Sequence, residues 1–122
     1  MIAYELDKEQ KLLIIRPEGP LSEQDFKTVA GAIDPFIEES GSLAGLVIQA
    51  ATFPGWQDFA GLVGHLKFVK GHHKQIQKIA AVTDDKLVAI FPKMAGHFVS
   101  AEIKHFSSGE FEAAKAWVLE SP

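Results

Sequence analysis

Cysteine is absent from this chain, and three chemistries go with it: a disulfide framework, a thiolate metal site and a cysteine nucleophile. Long apolar runs are missing as well. No stretch approaches the ~20 apolar residues of a membrane span. Met1-Ile2-Ala3-Tyr4-Glu5 lacks the basic and apolar regions of a secretory signal. The expectation is a soluble, cytoplasmic protein. Basic charge is in short supply: 12 Lys and Arg stand against 16 Asp and Glu, for a formal net charge of −4. A nucleic-acid partner calls for a basic patch that neutralises phosphates, so the charge balance argues against one. The one dense basic stretch has Lys67, Lys70, Lys74 and Lys78 interleaved with His72 and His73. It reads as a solvated helix end, where cations meet the negative pole of the helix dipole.

What is present is ordinary globular material. At 122 residues, 47% hydrophobic and 23% charged, the chain is expected to form one domain over residues 1–122 with a real core. Ile2 to Leu6 and Lys11 to Pro17, separated by the polar Asp7-Lys8-Glu9-Gln10, predict an antiparallel hairpin whose second strand is buried. Gly19-Pro20 breaks the pattern. Ser22 then reads as an N-cap, and Phe26, Val29, Ala30, Ile33 and Ile37 follow at helical spacing. Pro35 is expected to kink or interrupt this helix, and Gly41 to end it. A strand is predicted over 45–49, a helix over 57–72, a strand over 79–83 and a short Pro-broken helix over 86–97. A strand over 101–106 and a helix over 110–119 complete the chain. The order β-β-α-β-α-β-α-β-α implies an α/β fold. Its mixed five-stranded sheet is mostly parallel, with an N-terminal antiparallel hairpin and four helices.

This order resembles the STAS fold, shared by bacterial anti-sigma factor antagonists and the cytoplasmic domains of sulfate transporters. More specifically, it resembles the small stand-alone SpoIIAA-like family of bacterial proteins. The likeness covers nearly the whole chain. It rests on the hairpin, on Phe53-x-Gly55-Trp56 after the third strand, and on the Leu66-Lys67-Phe68 and His72 region. The strand Ile79-Ala80-Ala81-Val82-Thr83-Asp84 and the ending Glu112-Ala113-Ala114-Lys115-Ala116-Trp117 add to it. Signalling STAS domains carry a Ser or Thr phosphoacceptor, next to an Asp, at the start of the helix after the third strand. Gly55, Trp56, Gln57 and Asp58 stand there in this chain, and the nearest hydroxyl, Thr52, comes several residues early. A phosphate would suit a helix N-terminus, but the acceptor is missing. The resemblance implies a protein without catalytic activity that binds nonpolar ligands or associates with membranes.

Residue by residue, the candidates for chemistry favour structural roles. His65 and His72 are seven apart, whereas helical metal ligands are spaced by three or four, so no metal or cofactor is expected. His97 and His105 lack a carboxylate neighbour in sequence. Asp84-Asp85 precedes a predicted helix and is expected to cap it rather than to form a catalytic pair. Asp58, in a first helical turn, has the same explanation. Ser22, Ser100, Ser107 and Ser108 lack a nucleophile-elbow context. Gly61, Gly64 and Gly71 do not form a phosphate loop.

Apolar surface is the stronger signal. On the helix over 57–72, Phe59, Leu62, Val63, Leu66 and Val69 make the core face. Phe68 falls with Gly61, Gly64, His65 and His72 on another, which suggests contact with something besides the sheet. The helix over 86–97 is apolar on most sides, as buried or cavity-covering helices are. If these helices lie side by side, Trp56, Phe59, Val63, Leu87, Phe91 and Met94, with Phe53 at the rim, would meet. They would fill the space by packing, line a groove for a nonpolar molecule such as an acyl chain, or bury a homodimer or peripheral membrane contact. Phe68 and Phe98 are the expected interaction surface. A regulatory module docking a partner protein is the alternative reading.

Overall fold

The computed structural model describes residues 2–50, 64, 65, 68, 71, 72, 75–84 and 102–120. Five strands form one sheet: β1 (Ile2–Asp7), β2 (Leu12–Pro17), β3 (Leu43–Gln49), β4 (Ile76–Val82) and β5 (Glu102–Phe106), standing side by side in that order. β1 pairs antiparallel with β2, and every other neighbouring pair is parallel. The hairpin and the mostly parallel mixed sheet follow the expectation. Among the described residues there are two helices rather than four, α1 (Glu23–Ser40) and α2 (Phe111–Leu119). The helix expected over 86–97 lies outside the described residues. Of the one expected over 57–72, residues 64, 65, 68, 71 and 72 are described and helical.

β3 begins two residues earlier than its apolar run suggested, and β4 begins three earlier, before the polar pair Gln77-Lys78. Pairing overrides local composition here, since Leu43 aligns with Ile76 and Gly45 with Lys78 across the ladder. Ser22 caps α1 as expected, through a reciprocal box. Its Oγ accepts from the Asp25 amide at 3.2 Å, and the Asp25 carboxylate accepts from the Ser22 amide at 2.8 Å. Gly41, at φ 90°, ends it. Pro35 neither breaks nor ends the helix, which runs on to Ser40. Pro35 and Gly31, whose carbonyl loses its usual donor, both lie on the exposed side, where water can satisfy that oxygen.

Parallel strands need crossovers, and right-handed crossovers between strands taken in one direction land on one face of the sheet. α1 occupies that face. It seals Val29, Ile33, Phe36 and Ile37 against Leu13, Ile15, Leu43, Leu46 and Ile76, and Phe68 packs against the same cluster. The opposite face carries Leu12, Ile14, Val47, Ala80, Val82 and Phe106, and falls to α2, which brings Ala114 and Val118.

Two features seat α2. Gly45 allows close approach: a methyl placed on its Cα would lie 2.6 Å from Val118 Cβ. Lys78 holds the far end. It was expected on a solvated helix end but sits within β4, only 8% exposed. Strand alternation turns it toward α2, where its Nζ donates to the carbonyls of Trp117 at 3.2 Å and Glu120 at 3.3 Å. The ammonium also lies 5.1 Å from the Trp117 ring centroid. A cation at a helix C-terminus satisfies free carbonyls and complements the dipole.

Gly45→Ala is expected to lower stability by about 1–3 kcal/mol, the usual cost of overpacking, measured by urea unfolding. A neutral Gly45→Ala would mean that α2 does not approach the sheet this closely.

Candidate functional site

The stripe of Gly64, His65, Phe68 and His72 follows i, i+1, i+4, i+8 spacing, so all four share one side of their helix. That side meets α1. A methyl on Gly64 would come within 3.1 Å of Glu23 Cα. His65 stacks on Phe26 with ring centroids 4.8 Å apart, and Phe68 lies 6.1 Å from the same ring in a tilted arrangement. His72 stacks on Phe68 at 4.2 Å. One of its ring nitrogens, Nδ1, is 2.7 Å from the Phe68 carbonyl oxygen. The other, Nε2, is 2.6 Å from Asp34 Oδ1. The contact "besides the sheet" that this stripe called for is therefore α1, and Phe68 is half-buried in it.

Beside the seam runs a groove of about 230 Å³ lined by Glu23, Phe26, Lys27 and Ala30 of α1 and by Gly64, Phe68 and His72. Typical small-molecule sites run from about 300 to 1,000 Å³, so this groove by itself is too small for an acyl chain. Its charges are matched within α1, where Lys27 Nζ lies 2.8 Å from Glu23 Oε1 one turn away. Burial pushes the His65 imidazole pKa down.

The other polar candidates are structural. Asp84 caps a helical turn far from it in sequence. Its carboxylate accepts from the Ser108 amide at 2.9 Å and from the Ser108 hydroxyl, at the one-turn 3-10 helix Ser108–Glu110 that leads into α2. These hydrogen bonds hold its carboxyl below the usual range. Strand pairing brings β4 and β5 together, so the ends of the two strands meet there, which no local pattern around Asp84 reveals. Ser107 and Glu110 form a capping box at the same turn. His105 Nε2 is 2.7 Å from the Thr83 carbonyl oxygen. Among the described residues no buried side-chain nitrogen or oxygen lacks a partner. No group of three His, Asp or Glu there is arranged to hold a metal. No described helix is long and apolar enough to cross a membrane. Asp85, His73, His97 and Ser100 lie outside the described residues, as do Phe53, Trp56, Phe59, Val63, Leu87, Phe91, Met94 and Phe98.

One further surface bears on function. β4 and β5 align Ile79 with Ile103 and Ala81 with His105 on the α1 face of the sheet. Ile79, Ala81 and Ile103 are half-buried there, unlike the sealed residues of β2 beneath α1.

A five-stranded α/β sheet opening with an antiparallel hairpin defines a STAS-like module. The SpoIIAA-like family model matches residues 12–119, and the chain belongs to that family. Among solved structures it is similar to an uncharacterized protein of the DUF3478 family with a SpoIIAA-like fold from Shewanella loihica PV-4. That match has a TM-score of 0.76 at 19% identity, covering 96% of this chain and 93% of the other. At that identity the likeness speaks for the fold. No match was found among curated proteins.

His65 makes a pH prediction. Because its folded-state pKa is depressed, the unfolded chain takes up the proton first. Stability should therefore fall as pH drops below about 6.5, the ordinary imidazole value. His65→Phe keeps an aromatic ring against Phe26 and should flatten that part of the profile in urea titrations between about pH 7.5 and about pH 5. An unchanged slope would show that His65 is not the group responsible.

Proposed function

We propose that this SpoIIAA-like chain is a non-enzymatic, cytoplasmic binding protein for a nonpolar molecule of acyl or lipid type. The ligand lies between the helices expected over 57–72 and 86–97, against Phe53, Trp56, Phe59, Val63, Leu87, Phe91 and Met94. The observation that carries this reading is the half-buried Ile79–Ala81–Ile103 surface of β4 and β5. It lies on the same sheet face as α1 and Phe68. The segments joining β3 to β4 and β4 to β5 hold five of the chain's nine Phe, together with Trp56 and Met94. Apolar burial at ~25 cal/mol per Å² supplies affinity there without fixed polar contacts, and so with loose specificity. Release at a membrane surface is the accompanying role.

Native mass spectrometry of protein purified from cells, followed by lipid extraction, tests this. Bound acyl species are expected, with Phe91→Ala and Trp56→Ala losing about tenfold or more in fatty-acid affinity, in line with the loss of a large buried aromatic side chain. Protein that is consistently empty and fails to bind fatty acids or a hydrophobic dye would overturn it. Empty protein that forms a stable homodimer or holds a protein partner would support the second reading, a regulatory docking module using the same apolar surface. Phe68→Asp is a poor probe of that alternative, because Phe68 is part of the α1 seam and its loss disturbs the fold.

A further inference from the structure

We propose that β5 is a self-docking edge, on which a second copy of this chain pairs antiparallel about a two-fold axis through Ile103. β5 ends the sheet: β4 flanks it on one side, and among the described residues no strand flanks it on the other. An open edge presents a row of backbone donors and acceptors that a further strand can take up. Which groups point outward follows from one bond. The Thr83 amide donates to the Phe106 carbonyl at 2.9 Å, so Phe106 turns its backbone groups toward β4. Backbone direction alternates along a strand. Lys104 and Glu102 therefore face β4 as well, and the amides and carbonyls of Ile103 and His105 face the open edge.

The side chains select both the occupant and the register. Glu102 and Lys104 share the α2 face with Phe106, and both are exposed. Glu102 stands opposite Lys78 in the ladder, but the Lys78 ammonium is committed to the α2 carbonyls. Lys104 lies over the Phe106 and Trp117 rings, at 5.1 and 5.8 Å from their centroids, which holds it at the rim of the sheet. A two-fold axis at Ile103 sets this residue against its own copy, with two backbone hydrogen bonds exchanged between them. The same register sets Glu102 against Lys104 of the second copy, and Lys104 against its Glu102. Those are the non-hydrogen-bonded positions, where facing side chains come closest. Moving the axis to Glu102 or to Lys104 opposes like charges, and moving it to His105 leaves both ion pairs unmade. Paired residues point to the same face, so the two copies form one continuous ten-stranded sheet with both α2 helices on one side. The contact is small, at the transient end of protein interfaces, so dimer and monomer exchange. It lies in the plane of the sheet and does not depend on what the faces bind.

Sedimentation velocity of the full chain, from micromolar to millimolar concentration in low-salt buffer, tests this. A monomer–dimer equilibrium is expected. Glu102→Lys and Lys104→Glu each turn two attractive pairs into repulsive ones. Each should weaken association about tenfold or more and leave the far-UV spectrum unchanged. Mixing the two variants in equal amounts opposes unlike charges again and should restore association, now as a heterodimer. The chain carrying both substitutions should pair with itself. A chain that stays monomeric throughout, its edge covered by its own residues or kept for a strand of another protein, would overturn the proposal. So would a mixture that fails to recover. A dimer indifferent to both substitutions would do the same, and is the result expected of association through the apolar surface of the proposed ligand site.

Discussion

A parallel sheet has to be covered on both faces, and right-handed crossovers between strands added in one direction cover only one. This single constraint organises the molecule. The strands stand in sequence order from β1 to β5, so the first crossover places α1 on one face. Among the described residues the other face is covered by the nine-residue α2 that follows β5. A helix that short gains little from its own hydrogen bonding. It holds by being drawn close to the sheet at Gly45 and capped at its carbonyl end by the Lys78 ammonium. Asp84 and the Ser107–Glu110 box secure its entrance. A glycine and a lysine in neighbouring strands, aligned across the ladder, thus complete a core that the crossovers alone leave open.

The crossover face is built differently. α1 seals β2, β3 and the start of β4, but farther along β4 and on β5 the apolar side chains Ile79, Ala81 and Ile103 are only half-buried. The seam at Gly64, His65, Phe68 and His72 joins a second helical surface to α1 through ring stacking and one carboxylate contact. Half-exposed contacts of this kind are individually weak. Among the described residues this is the more loosely packed face of the sheet. The sealed α2 face, with Ala114 and Val118 fully covered, offers no such compliance.

Much of the fold was legible in the chain. The hairpin follows from two apolar runs around a polar turn, α1 from its capping residue and apolar stripe, and the alternation of elements from the periodicity. Pro35 does not interrupt α1, because its effect depends on whether its neighbours face water, which composition does not show. Lys78 misled for a related reason: a lysine in a basic run looks solvated until strand alternation turns it toward a helix end. The seam was half legible. Phe68 and its companions announced a second contact face, but not α1 as the surface it meets. The Asp34 partner lies 38 residues away in sequence, with no local signal pointing to His72.

By itself, then, the sequence determined the class of fold, the strand and helix inventory at its two ends, and the family likeness. It also argued against thiol and nucleic-acid chemistry through the absence of cysteine and the acidic balance. These are properties of periodicity and composition, which short stretches carry intact. Tertiary structure decided which charges became structural: Lys78 at the end of α2, Asp84 at its entrance, His72 against Asp34. Each of those contacts joins residues that lie close only after the strands pair and the helices settle on their faces, so no window of sequence contains them.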